Sequence, residues 1–292
     1  MKREDFLLVL ASSVEGITWG ADTVIMALYL KSLGLNPLTI GAILGSAIIV
    51  NTLLSLLWSV LGDAYGRKKF VYISRGIGGL SFLLLLIAPY AYLFANQGFG
   101  LIASILAEKS GDLDKAMAYR SSLNILFSVI GSLLPTALNF KGIIIVDGIV
   151  TFLSLLLVIP VKENYKGTSR VTLKISSFKI LGKLSTEAII GLGAGVLLPM
   201  LSLWFNLRFH ATASSLSPIY AISEITLALS TLFSPILAST LGRIRAILTF
   251  SPPWKGDGSP PRGFIVPTIN SGLHLSSGGQ TRGPETPSRL NS

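Results

Sequence analysis

Four carboxylates stand inside long apolar stretches of the sequence: Glu15 and Asp22 near the N-terminus, Asp147 in "GIIIVDGIVTF" and Glu224 in "YAISEITLALS". An ionised carboxylate is costly in a low-dielectric setting, so each must be paired, face a wet cavity or lie near a polar boundary. Glu15 and Asp22 are seven residues apart, which on a helix places them on one face about 10 Å apart along the axis. One reading makes them a proton or substrate site, since a desolvated carboxylate can bind and release a proton near neutral pH. The other pairs them with Arg75 or Arg120 as internal ion pairs. Asp147 lies within about two turns of a helix end, near enough for its carboxylate to snorkel outward; Glu224, after Pro218, is the better cavity residue. Trp19, Tyr29, Asn51 and Asn124 are positions where a solute can be contacted, although lone polar residues in such helices more often bond to neighbouring helices.

A second constellation is the segment "SVLGDAYGRKK", which sets Gly62, Asp63, Gly66, Arg67, Lys68 and Lys69 in one tight turn. Gly66 suits a left-handed or close-packed backbone, Asp63 is placed to cap the helix that follows, and the basic run holds the turn to one side of a membrane. Other chemistry is missing from the sequence. With no cysteine there is no disulfide framework, thiolate metal site or cysteine nucleophile. The two histidines, His210 and His274, have no metal-ligand spacing. No Gly-rich run precedes a phosphate-binding Lys, and no nucleophile or acid–base pair is clustered, so neither a cofactor nor an enzymatic role is expected.

These residues are carried by apolar segments. Half of the 292 residues are apolar, 13% are charged and the mean hydropathy is +0.66, against about 25% charged residues in a soluble domain. Stretches of roughly 20 residues are long enough to cross about 30 Å of hydrocarbon. The sequence predicts eight spans: Phe6–Leu33, Leu38–Leu61, Phe70–Ala88, Ala91–Ala107, Met117–Leu138, Gly142–Pro160, Ala188–Phe209 and Leu216–Ser239. With the N-terminus in the cytoplasm, 17 Lys and Arg fall on the inner face and only Lys31, Lys141 and Arg208 on the outer. That asymmetry places the chain in the cell membrane with the lipid bilayer as its solvent. It also accounts for the net charge of +10 without a nucleic-acid partner.

The organisation that follows is a six-helix N-terminal bundle over 1–160, a basic cytoplasmic linker over 161–185, a partial second bundle over 186–250 and a Pro/Gly/Ser-rich tail over 251–292. In the tail, 21 of 42 residues are Pro, Gly or Ser. It reads as disordered, and its abrupt start after Phe250 reads as a frameshift or cloning junction.

The turn after the second span resembles the signature loop of the major facilitator superfamily (MFS). Ser59 and Ala64 depart from that pattern, standing where the family has a Gly and a basic residue. A weaker copy, "SPILASTLGRIR", places Gly242, Arg243 and Arg245 at an offset of 176 residues from Gly66, Arg67 and Lys69. Six spans, a basic loop and a repeat of the same turn fit the parallel two-half architecture of that superfamily. The resemblance implies an all-α polytopic membrane protein, an MFS-like bundle with a complete first half and the first two helices of the second. It further implies a gating role for Asp63 and Arg67, and secondary transport of a small-molecule substrate by alternating access, with protons as the coupling ion or the solute gradient as the drive. The alternative is an inactive transporter fragment, since two helices of a second half cannot close a cavity. Small-residue pairs Gly41/Gly45 and Gly191/Gly195 are expected to pack helices closely.

Overall fold

The computed structural model describes residues 3–95, 98–163, 165, 167 and 193–241, and every regular element among them is helical. In chain order these are α1 (Arg3–Ser13), α2 (Gly16–Ser32), α3 (Pro37–Tyr65), α4 (Arg67–Leu85), a 3-10 helix (Pro89–Phe94), α5 (Phe99–Lys109), α6 (Leu113–Leu133), a short 3-10 turn (Leu134–Thr136), α7 (Phe140–Val158), α8 (Gly193–Phe209) and α9 (Ala213–Leu241). Local signals set several starts. Asn36, Asp112 and Asn139 each accept a backbone N–H three residues on, from Thr39, Lys115 and Gly142, and Pro37 opens α3 where its missing N–H costs nothing. Three described stretches, Pro37–Tyr65, Lys115–Thr136 and Phe140–Val158, are long and apolar enough to cross a membrane by length and composition.

Two expected spans are interrupted. The first is α1 and α2 rather than one helix. The Ser13 carbonyl accepts from the Asn124 side chain (3.3 Å), while Ile17 N–H turns to the Val14 carbonyl (3.1 Å) in a tighter turn. The Ser12 and Ser13 hydroxyls also bond back to carbonyls one turn earlier, a habit that bends helices. The fourth is a 3-10 helix opened by Pro89, then α5, with Gly98 in the left-handed region at φ 79° between them. A Cβ on Gly98 would lie 2.3 Å from the Ser74 hydroxyl, so only glycine lets this break sit against α4. The seventh span is described from Gly193 and the eighth is longer than expected. Gly191, the second turn copy at Gly242, Arg243 and Arg245, most of the linker and the tail lie outside the described residues.

The apolar core is in two parts. One joins Val24 to Leu30 of α2 with Ile40, Phe82, Tyr92, Ile143 and Leu203. The other joins Leu8 and Val9 of α1 with Val71, Leu101, Ile105 and Val158. Between them runs a buried polar layer that includes Ser13, Glu15, Asp22, Arg75, Asp147 and Ser154. At one end of the bundle Lys109 binds Glu4 and Arg67 binds Glu108; at the other Lys31 donates to Asn206 (2.5 Å). The Lys109 hydrogen bond holds the Glu4 carboxyl below its ordinary range. Its small contribution is therefore present above the ordinary carboxylate pKa and lost as pH falls through the lowered one.

Candidate functional site

A cavity of about 380 Å³ opens between α2, α3, the 3-10 helix and α8, its lining including Trp19, Asp22, Asn51, Ser55, Tyr92 and Leu198. Asp22 is 5% exposed, and its Oδ2 accepts a hydrogen bond from the Tyr92 hydroxyl at 3.1 Å. The break in the fourth segment makes this contact: the 3-10 helix carries Tyr92 inward, where a continuous spanning helix would impose a different register. The Asn51 Oδ1 is buried and accepts no hydrogen bond among the described residues.

Asp147 does not snorkel. It is fully buried, because α7 turns the stripe Asp147, Thr151 and Ser154 inward and the stripe Ile145, Ile149 and Leu156 outward. Asp147 lies beside Thr18 and within Coulombic range of Asp22, but is not part of the cavity lining. Glu15 is engaged differently. It forms an ion pair with Arg75, each side chain 3% exposed, and accepts from Ser154 at 3.2 Å; Arg120 adds positive charge nearby. About two turns separate this pair from Asp22, and Glu15 is not part of the cavity lining. Glu224 is half-buried on α9 opposite Ser128 of α6, also away from the lining. Of the further polar positions, Trp19 and Asn51 reach the cavity. Tyr29 instead donates to the Leu85 carbonyl (3.0 Å) and Asn124 to that of Ser13.

The signature turn is built around Arg67. Its guanidinium bonds Asp63 Oδ1 (2.9 Å), reaches Glu108 Oε2 (3.4 Å) and lies 4.5 Å from the centre of the Tyr165 ring. Gly66, at φ 99°, occupies backbone space that other residues rarely adopt. Asp63 does not cap α4. The cap is Glu163, whose carboxylate accepts the N–H groups of Arg67 (2.5 Å) and Lys68 (3.1 Å) at the positive end of the helix. Asp63 is drawn off because its side chain sits one turn before Arg67 on α3, in reach of the guanidinium. Lys68 donates to the Ile159 and Val161 carbonyls (2.7 and 2.6 Å), the end of α7, while Lys69 is exposed. A leucine of α5, Leu101, packs where a Cβ on Gly62 would fall.

One departure from the loop pattern has a physical cause. Ala64 is 1% exposed, so a basic side chain there would start from a buried position, where charge is costly. Ser59 donates to the Ser55 carbonyl one turn earlier (2.8 Å). Glu163 and Tyr165 escape the sequence reading, although Glu163 is the lone acid in a basic loop and that isolation is a signal.

No curated protein matches the chain. The description Major Facilitator Superfamily, by contrast, matches residues 8–252, a range that takes in the split first helix, the Asp22 cavity, the Arg67 turn and α9. The match covers well over half of the 292 residues; the chain is a helical membrane protein and belongs to the Major Facilitator Superfamily of transporters.

Proposed function

We propose that this chain is a secondary transporter of a small solute, working by alternating access around the cavity beside Asp22 and coupled to protons through that carboxylate. The observation that supports it best is placement: Asp22 stands in the polar layer between two apolar cores, at the wall of a cavity framed by α2, α3 and α8. An intramembrane carboxylate at a cavity is a site where proton binding and solute binding can influence one another. The groups facing it are Tyr92 and Asp147. The gating turn is Gly62, Asp63, Gly66, Arg67, Lys68 and Lys69, with Gly242, Arg243 and Arg245 as its second-half counterpart. The chain lies in the cell membrane, N-terminus in the cytoplasm, as the 17 to 3 division of basic residues supports.

Uptake into vesicles holding the purified chain, measured for neutral, anionic and cationic solutes under an imposed pH gradient, tests this. Saturable accumulation is expected in the unaltered chain; Asp22→Asn is expected to lose uphill accumulation. Accumulation unchanged in Asp22→Asn removes the coupling role. No saturable uptake of any solute returns the reading of an inactive transporter.

A further inference from the structure

We propose that the occupant of the cavity is a protonated organic amine with an apolar body, its ammonium held by the Asp22 carboxylate and the Asn51 side-chain oxygen. The inference rests on the transporter reading above and names the class of solute.

Charge is the first ground. Among the described residues the lining contains the carboxylate of Asp22 and no Lys, Arg or His. A carboxylate in a low-dielectric lining with no opposing cation favours a cation over a neutral solute and disfavours an anion. A zwitterionic solute would also need a cationic partner for its carboxylate, which this lining does not offer.

Hydrogen bonding is the second, independent ground. The Asn51 Oδ1 is a buried acceptor with no donor among the described residues, so an occupant that brings an N–H or O–H to it, in place of a water, completes the site. An ammonium has only donors to offer, and it meets two acceptors here, the Asn51 oxygen and Asp22. A quaternary ammonium satisfies the charge and leaves Asn51 unmet.

The rest of the lining fits the apolar body. Trp19 and Tyr92 bring aromatic rings, which attract cations as well as apolar groups, and Leu44, Ile48 and Leu198 bring aliphatic surface. A sugar, with hydroxyls on every side, would need polar partners around the whole wall.

Three probes of one shape separate the alternatives: phenylbutylamine, phenylbutanol and phenylbutyrate, which differ only in carrying an ammonium, a hydroxyl or a carboxylate. Their equilibrium binding is measured by calorimetry on the full chain in nanodiscs. The amine is expected to bind saturably and at least about tenfold more tightly than the alcohol, with no saturable binding of the acid. Asp22→Asn is expected to bring the amine down to the level of the alcohol, and Asn51→Leu to weaken the amine several-fold with the thermal midpoint kept. Equal affinity for amine and alcohol overturns the proposal, as does amine binding unchanged in both variants or absent from the folded, unaltered chain. Should Asp22→Asn not fold, Asn51→Leu decides alone, because unchanged amine binding there removes the second anchor. Saturable uptake of a neutral or anionic solute without amine binding overturns the amine assignment alone; failure of every solute to bind or move overturns the transporter reading with it.

Discussion

At the scale of single residues, the four apolar-segment carboxylates divide by partner. Glu15 has Arg75, Asp22 has Tyr92 and the cavity, Asp147 is sealed beside Thr18, and Glu224 faces Ser128. The sequence alone marks all four, because charge at apolar depth is a local signal; it leaves open which is paired, since Arg75 reaches Glu15 only once α4 packs against the first segment. Tyr92 could not be read from local pattern, and the isolation of Glu163 in its basic loop marks the residue without its partner, as each acts on a residue far along the chain. Removing one member of a buried ion pair leaves the other charge uncompensated. Glu15→Gln is therefore expected to lower stability by about 3 kcal/mol, and Arg75→Met added to it to restore part of the loss. A thermal-melt series in detergent checks this; equal stability of Glu15→Gln and the unaltered chain would show that the pair carries no structural weight.

At the scale of elements, the closest helix packing is between α2 and α6. A Cβ on Gly16 would lie 2.0 Å from the Asn124 carbonyl oxygen, one on Gly20 2.0 Å from that of Ser128, and one on Gly131 1.9 Å from that of Ile17. Small residues let the backbones of the two helices touch. Gly41 and Gly45, which the sequence singles out on spacing, do face α8, but a Cβ on either meets Met200 or Val196 at an ordinary 3.8 Å. Gly195 is the tighter partner there, 2.8 Å from Ile48. Spacing finds glycines on one face; whether a neighbour's backbone or a flexible side chain lies opposite depends on tertiary approach, which spacing does not encode. Gly20→Ala is expected to cost about 1–3 kcal/mol by forcing the helices apart, and Gly41→Ala to be near neutral. Similar melting temperatures for the two variants would contradict the assignment of close packing to α2 and α6.

At the scale of the whole molecule, two apolar cores flank a polar layer, the Asp22 cavity opens from that layer, and the Arg67 turn closes one end of the bundle with Glu163 and Tyr165 laid across it. The all-helical architecture and the position of the turn are legible in hydropathy and in the Gly-Asp-Gly-Arg pattern. The interruptions at Ser13 and Gly98 are not, because both follow from side-chain and backbone contacts with other helices. Yet they shape the site, one by seating α2 against α6 and the other by carrying Tyr92 to Asp22. The chain has no cysteine, so a single introduced thiol reports its own surroundings. Ser55 lines the cavity, and Ser55→Cys is nearly isosteric. In sealed, oriented vesicles, with Lys141→Cys, on the face proposed to be external, labelled in parallel, the Ser55→Cys thiol is expected to react with a small membrane-impermeant reagent from either side and to be protected by a bound solute. Reaction from one side only under every solute and pH gradient, or no reaction from either, would contradict alternating access at the Asp22 cavity.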